Sequence, residues 1–161
     1  MKRVLIVLCM ALGLPMVAHA DAPTLKIINF TADWCPNCQI LNPRIDKAIE
    51  AYPAGTVERV DLDMTKAGRR ATDAQVKEAS ETAIGVSETH KAGYLWDWYG
   101  GITGIAVIIA SDTGEPISCV MRPMSAKDIQ GKIRLANKLV KGAPKGRRKP
   151  QGPDCPDPLN R

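Results

Sequence analysis

Two thiols three positions apart, Cys35 and Cys38, are the residues of this 161-residue chain best suited to chemistry. They enclose Pro36 and Asn37 and follow Trp34. The spacing lets the two sulfurs close on each other. The run before them, LKIINF at 25–30, reads as a short buried strand, and a turn-like TAD follows. Beyond them Leu41, Ile45, Ala48 and Tyr52 recur at helical spacing. The pair therefore stands at a helix start. There, unpartnered amide N–H groups and the positive end of the helix dipole favour a thiolate. Cys35 then attacks a substrate disulfide, and Cys38, one turn on, resolves the mixed disulfide. A static 35–38 bridge would stabilise poorly, because so short a loop removes little unfolded-state entropy.

The other cysteines carry less information. Cys9 lies in the apolar N-terminal run and leaves with it, while Cys119 and Cys155 are far apart with no spacing rule to join them. Cys119 reads as a small core residue in a strand, and Cys155 as an exposed thiol that pairs with Cys119, pairs between chains, or interferes with the active site. Structural zinc sites want two close pairs or a pair plus histidines, and the chain beyond the N-terminal run offers one pair and a lone His90, expected at the surface. Copper held by the thiol pair would favour a Met or His beside it, and none is there.

Around the pair, the elements follow from periodicity and turn chemistry. Pro36 suits the first helical turn and Pro43 interrupts the helix interior. TVERVDLD at 56–63 alternates as a second strand. Thr72 with Gln75 forms a capping box for a helix from Asp73 to about Ala83, with Gly85 as its end. Tyr94, Trp96, Trp98 and Tyr99 form an aromatic patch, expected to pack as local core. IAVIIA at 105–110 is a strand covered on both faces. DTGE at 112–115 turns the chain into an edge strand, Pro116–Met121. Ser125 and Asp128 cap a last helix whose buried face holds Ile129, Ile133, Ala136 and Val140. The order is β-α-β-(α)-β-β-α, an α/β class.

Hydrophobic residues at 45% support a core and exclude a wholly disordered chain, and the length suits one domain. Lys2 and Arg3, an apolar run from Val4 to Val17, and Ala18-His19-Ala20 have the layout of a signal peptide cleaved before Asp21. That run falls short of the ~20 residues that span a bilayer. We therefore expect residues 1–20 as signal peptide, an exported and periplasmic location, and no stable membrane anchor after cleavage. Residues 21–140 hold 14 basic and 15 acidic groups, so no basic face for nucleic acid is expected. Residues 141–161 hold six basic and two acidic groups in a Pro/Gly-rich context. Residues 143–161 are expected as a disordered tail, with Lys145, Arg147, Arg148 and Lys149 solvated.

Residues 25–140 resemble the thioredoxin superfamily. NFTADWCPNCQILNP is similar to the family's strand–WCxxC–helix signature, with Pro43 as the kink proline, and YGGITGIAVII followed by DTGE resembles the approach to its central hairpin. ADWC, and more weakly DLDMT with ATDAQVKEA, are similar to the periplasmic domain of the DsbD-type transmembrane reductase. The resemblance implies a thioredoxin-like fold over 21–142. That fold is a central mixed β-sheet flanked by helices, here with an enlarged segment, roughly 64–98, before the third strand. It implies an exported thiol–disulfide oxidoreductase with Cys35 and Cys38 catalytic, and Trp34, Pro36, Asn37, Ile105 and Ala106 contacting substrate. It implies no dissociable cofactor, with electrons passing to protein thiol or disulfide substrates and a redox partner protein.

Two positions depart from the family. Ala106 stands where a cis-proline is usual, and is expected to be trans. Asn29 stands where a buried, proton-handling Asp is usual. These departures keep a second reading open, a thioredoxin-fold binding or assembly factor with little or no turnover. The direction of exchange is open as well.

Overall fold

The computed structural model describes residues 22–159, so the expected signal peptide lies outside the described residues. The elements are β1 (Leu25–Thr31), α1 (Pro36–Ile49), β2 (Val57–Asp63), α2 (Asp73–Thr89), α3 (Tyr94–Tyr99), β3 (Ile105–Ala110), β4 (Pro116–Met121) and α4 (Ala126–Gly142). A single 3-10 turn, Thr65–Ala67, follows β2. The four strands form one mixed sheet in the order β2-β1-β3-β4. β1 pairs parallel with β2, as a strand–helix–strand crossover requires, while β3 is antiparallel to both β1 and β4.

Strand alternation distributes the core into two layers. Leu25 and Ile27 of β1 join Ala106 and Ile108 of β3 beneath Leu41 and Ile45 of α1 and Ile129 and Ile133 of α4. Ile28 and Phe30 join Val107 and Ile109 on the other face, with Ala79 and Ala83 of α2 and Leu95 and Tyr99 of α3. Every residue of β3 is buried, which explains why its sequence is an unbroken apolar run. The outer strand β2 carries Glu58, Arg59, Asp61 and Asp63, charges that discourage edge pairing.

Both capping boxes form as expected, Thr72 with Gln75 and Ser125 with Asp128. α2 does not stop at Gly85, however. It continues to Thr89, because buried Ser87 follows Ala79 and Ala83 along the packed face and its hydroxyl donates to the Ile84 carbonyl at 2.7 Å. Burial of that face outweighs the roughly 1 kcal/mol that one glycine costs a helix. The aromatic patch is the short helix α3. Tyr99 packs edge-on to Phe30 at 6.3 Å, and Tyr94 packs edge-on to Trp98 at 5.1 Å. His90 also has a companion, since its Nδ1 lies 2.9 Å from Lys26 Nζ.

The stretch beyond α4 is not the disordered tail its composition suggests. Cys155 is disulfide-bonded to Cys119 of β4. Beside the bridge, Cys119 N–H donates to the Asp154 carbonyl at 3.0 Å, and Ser118 pairs with Asp154 as an isolated parallel bridge. Tyr99 Oη donates to the Pro156 carbonyl at 2.6 Å. Arg148, expected in solvent, is buried, and its Nη1 and Nη2 donate to Asp112 at 2.6 and 2.9 Å. Hydrogen bonding from Arg148 holds the Asp112 carboxyl well below the usual carboxylate range. Composition alone misses this segment because its order comes from long-range anchors.

Two expectations follow for this clamp. The bridge closes a sequence separation of 36 residues. Replacing both Cys119 and Cys155 by Ser is expected to remove about 3–4 kcal/mol of stability on the loop-entropy model, read as a shift in the denaturant midpoint. Asp112 has a depressed pKa in the folded state, so its contribution is fully present above about pH 4 and is lost as the pH falls through the depressed value. Melting between about pH 2 and pH 6 should show less acid destabilisation in Asp112→Asn than in the parent chain. Equal pH slopes would dismiss the pair as a contributor.

Candidate active site

The sheet topology decides which residues can meet the thiol pair. β1 and β2 run parallel, and β4, antiparallel to β3, runs parallel to them as well. The loops after β1, β2 and β4 and the loop before β3 therefore gather at one end of the sheet. The carboxyl ends of parallel strands are where open α/β sheets place their sites.

Cys35 and Cys38 are joined as a disulfide, with 5.2 Å between their Cα atoms. Cys35 is the N-cap of α1 in extended conformation, and its Sγ accepts a hydrogen bond from the Cys38 N–H at 3.1 Å. Pro36 occupies the first helical position, where its missing N–H goes unneeded. The turn before the helix is pinned on several sides. Cys35 N–H donates to the Ala32 carbonyl, Asp33 N–H to Thr65 Oγ1, and Gln39 Nε2 to the Asp33 carbonyl. Cys38 Sγ lies 3.9 Å from the Phe30 carbonyl, an acceptor for its thiol proton once the bond is reduced.

Exposure is graded across the pair. Cys35 is 4% exposed and Cys38 1%, while Trp34 is 46% exposed and Asp33, Pro36 and Asn37 are exposed too. The sulfurs sit just inside a rim that an approaching protein meets first. Gly104 forms part of that rim. A Cβ there would lie 2.8 Å from Asn37 Cβ and 3.5 Å from Cys35 Sγ, and its φ of +89° is one that side-chain-bearing residues rarely adopt.

The predicted contact residues divide. Trp34, Pro36 and Asn37 lie at the surface beside the pair. Ile105 is nearly covered, and Ala106 is fully covered, packed on the layer that holds α1 and α4. The Ala106 side chain therefore has no face for a substrate, and the nearer neighbour of Cys35 from this loop is Gly104. The peptide bond before Ala106 is trans, and the single cis bond among the described residues is Arg122–Pro123.

Arg122, not anticipated from the sequence, donates from Nη1 to Asn37 Oδ1 at 3.2 Å, which brings a cation onto the turn between the thiols. It begins the loop after β4, and the strand order alone would have placed it at this end.

Asn29 is fully buried and donates from Nδ2 to Asp61 Oδ1 at 2.7 Å and to Asn42 Oδ1 at 3.1 Å. Asn42 in turn donates to Thr31 Oγ1 at 3.0 Å. The amide thus serves as a tie between β1, β2 and α1. The carboxylate of this group stands one strand away, on Asp61, held by Arg59 Nε at 2.8 Å. Among the described residues, no group of three or more His, Cys, Asp or Glu side chains could hold a metal ion.

Residues 16–91 match the family model described as Thioredoxin. A curated relative, "Putative thioredoxin-4" of Dictyostelium discoideum, is 43% identical over 37 residues, covering 23% of this chain and 36% of that protein. The chain thus spans about a third of the length of the curated relative it matches. StoA from Bacillus subtilis is 20% identical with a TM-score of 0.43, covering 70% of this chain and 84% of that one. A thiol:disulfide interchange protein from Chlorobium tepidum TLS is 22% identical with a TM-score of 0.45, covering 71% and 80%. The family match spans β1, α1, β2 and α2, and the thiol pair lies within it at the start of α1, so just under half of the chain is similar to the thioredoxin family.

Proposed function

We propose that the chain is an exported, periplasmic thiol–disulfide oxidoreductase that exchanges disulfides with partner proteins through Cys35-Pro36-Asn37-Cys38. The observation that carries this reading is the placement of Cys35 Sγ at the N-cap of α1, accepting the Cys38 amide proton. A neutral sulfur is a weak acceptor and a thiolate a strong one, so this position favours the charged, nucleophilic form.

In the reducing direction, the Cys35 thiolate attacks one sulfur of a partner disulfide. A Cys35–partner bond forms and the partner's other sulfur leaves as a thiolate. Cys38 then gives up its proton and attacks Cys35 Sγ, which forms the 35–38 bond and releases the partner's second thiolate. The partner gains two electrons and this pair loses two. Oxidation of a partner is the same sequence reversed. Burial of Cys38 and the nearby Phe30 carbonyl favour its protonated form, so Cys35 acts first. No dissociable cofactor enters the scheme.

A binding or assembly role with little turnover is favoured by one observation, that Asn29 cannot accept the Cys38 proton as a carboxylate would. Catalytic reduction of insulin separates the two readings. Turnover by the parent chain, abolished in Cys35→Ser, is the expected result, and parent activity no higher than the variant's would leave only the binding role. The electrostatics are read separately from the pH dependence of alkylation at Cys35. Its midpoint is expected below the ~8.5 of free cysteine. Arg122→Gln should move it upward by a few tenths on the pH scale, the size of an exposed charge's effect.

A further inference from the structure

A cavity of about 550 Å³ adjoins Trp34, the residue before Cys35, and is also walled by Thr65, Lys66, Gly68, Arg69 and Arg70. Its apolar wall is held in place. Trp34 Nε1 donates to the Thr65 carbonyl at 3.0 Å, and Gly68 lies so close beneath the indole that a Cβ there would sit 3.2 Å from Trp34 Cδ1. Its charged wall is unbalanced. Lys66 is satisfied by Glu78 at 2.7 Å, but Arg69 and Arg70 have no carboxylate partner among the described residues. No carboxylate lines the wall itself. Asp63 accepts from the Thr65 amide at 2.8 Å, and Asp33 and Asp73 are not part of the wall.

We propose that this cavity seats an acidic segment of the partner protein, flanking the cysteine that Cys35 exchanges with. The occupant follows from adjacency and charge. Trp34 is both the cavity's wall and Cys35's neighbour in the chain, so whatever delivers a cysteine to Cys35 passes next to it. Because an extended chain advances ~3.3 Å per residue, the acidic side chain is sought two to four positions from the partner's cysteine. Guanidinium groups match carboxylates in shape as well as sign, and the indole shields one side from water. The cavity thereby sets which disulfides are exchanged quickly, mainly by speeding encounter. This inference rests on the exchange reading for its biological meaning, though not for its first test.

That test uses the oxidised full-length chain and fluorescent peptides in which the cysteine is replaced by Ser, so that no exchange can occur. One peptide carries Glu two to four positions from the Ser, the other Lys. By fluorescence anisotropy, the Glu peptide is expected to bind about fivefold tighter at low salt, with the advantage shrinking at about 0.5 M salt. In R69E/R70E the order should invert, and in R69Q/R70Q the two peptides should bind alike. Both variants alter exposed side chains, and matching circular dichroism melts confirm that they fold. Equal binding of the two peptides to the parent chain, or a preference that survives charge reversal, would overturn the proposal. In the second arm the chain is first reduced at Cys35 and Cys38, the cysteine-bearing peptides are offered as disulfides, and the Glu-to-Lys ratio of exchange rates should follow the binding ratio in every variant. A ratio indifferent to charge reversal while binding inverts would also overturn it. A chain that binds selectively but reduces no insulin would sink the exchange reading and leave the cavity assignment standing.

Discussion

The hydrogen bond from the Cys38 amide to Cys35 Sγ makes a sulfur perform the task that a serine or aspartate oxygen performs at most helix starts. Sulfur fills that role well only when it carries charge. The helix thus gains a better cap when Cys35 is ionised, and Cys35 ionises more readily because the helix is there. Much of the surrounding structure holds the two in register. Pro36 fixes the first turn, Gln39 and Thr65 hold the Asp33 backbone, and β1 brings the Phe30 carbonyl beneath Cys38.

Behind the helix, a polar tie links three elements where an apolar contact would have been simpler. Asn29 and Asn42 join β1 to α1, and Asp61 carries the link on to β2. Arg59 completes it by bonding both Asp61 and Asp46 of α1 at 2.8 and 2.7 Å. The buried amide makes directional bonds to both neighbours without bringing a buried charge. That suits a role in orientation more than one in titration.

The sequence was readable wherever local pattern and tertiary packing agree. β3 announced itself as an apolar run because both of its faces are covered, and the thiol pair was legible because a strand, a proline and a helical period bracket it. α3 was not legible, since six residues with four aromatics show no period. Arg122, Gly104 and the cavity beside Trp34 were hidden for a different reason. They approach the pair through strand order, which puts four loops at one end of the sheet, and no single segment encodes that. Ala106 erred in the opposite direction. Its place in the chain matched a contact loop, but the pleat turned its side chain into the core.

The two bridges also differ in when they become available during synthesis. Cys35 and Cys38 are made three residues apart, whereas Cys119 has no partner until 36 further residues have been added. In that interval the β4 edge lacks its covering segment and Cys119 is an unprotected thiol on a nascent chain. Closing the 119–155 bridge therefore needs an oxidant that takes two electrons from the thiols after the segment beyond α4 has been made.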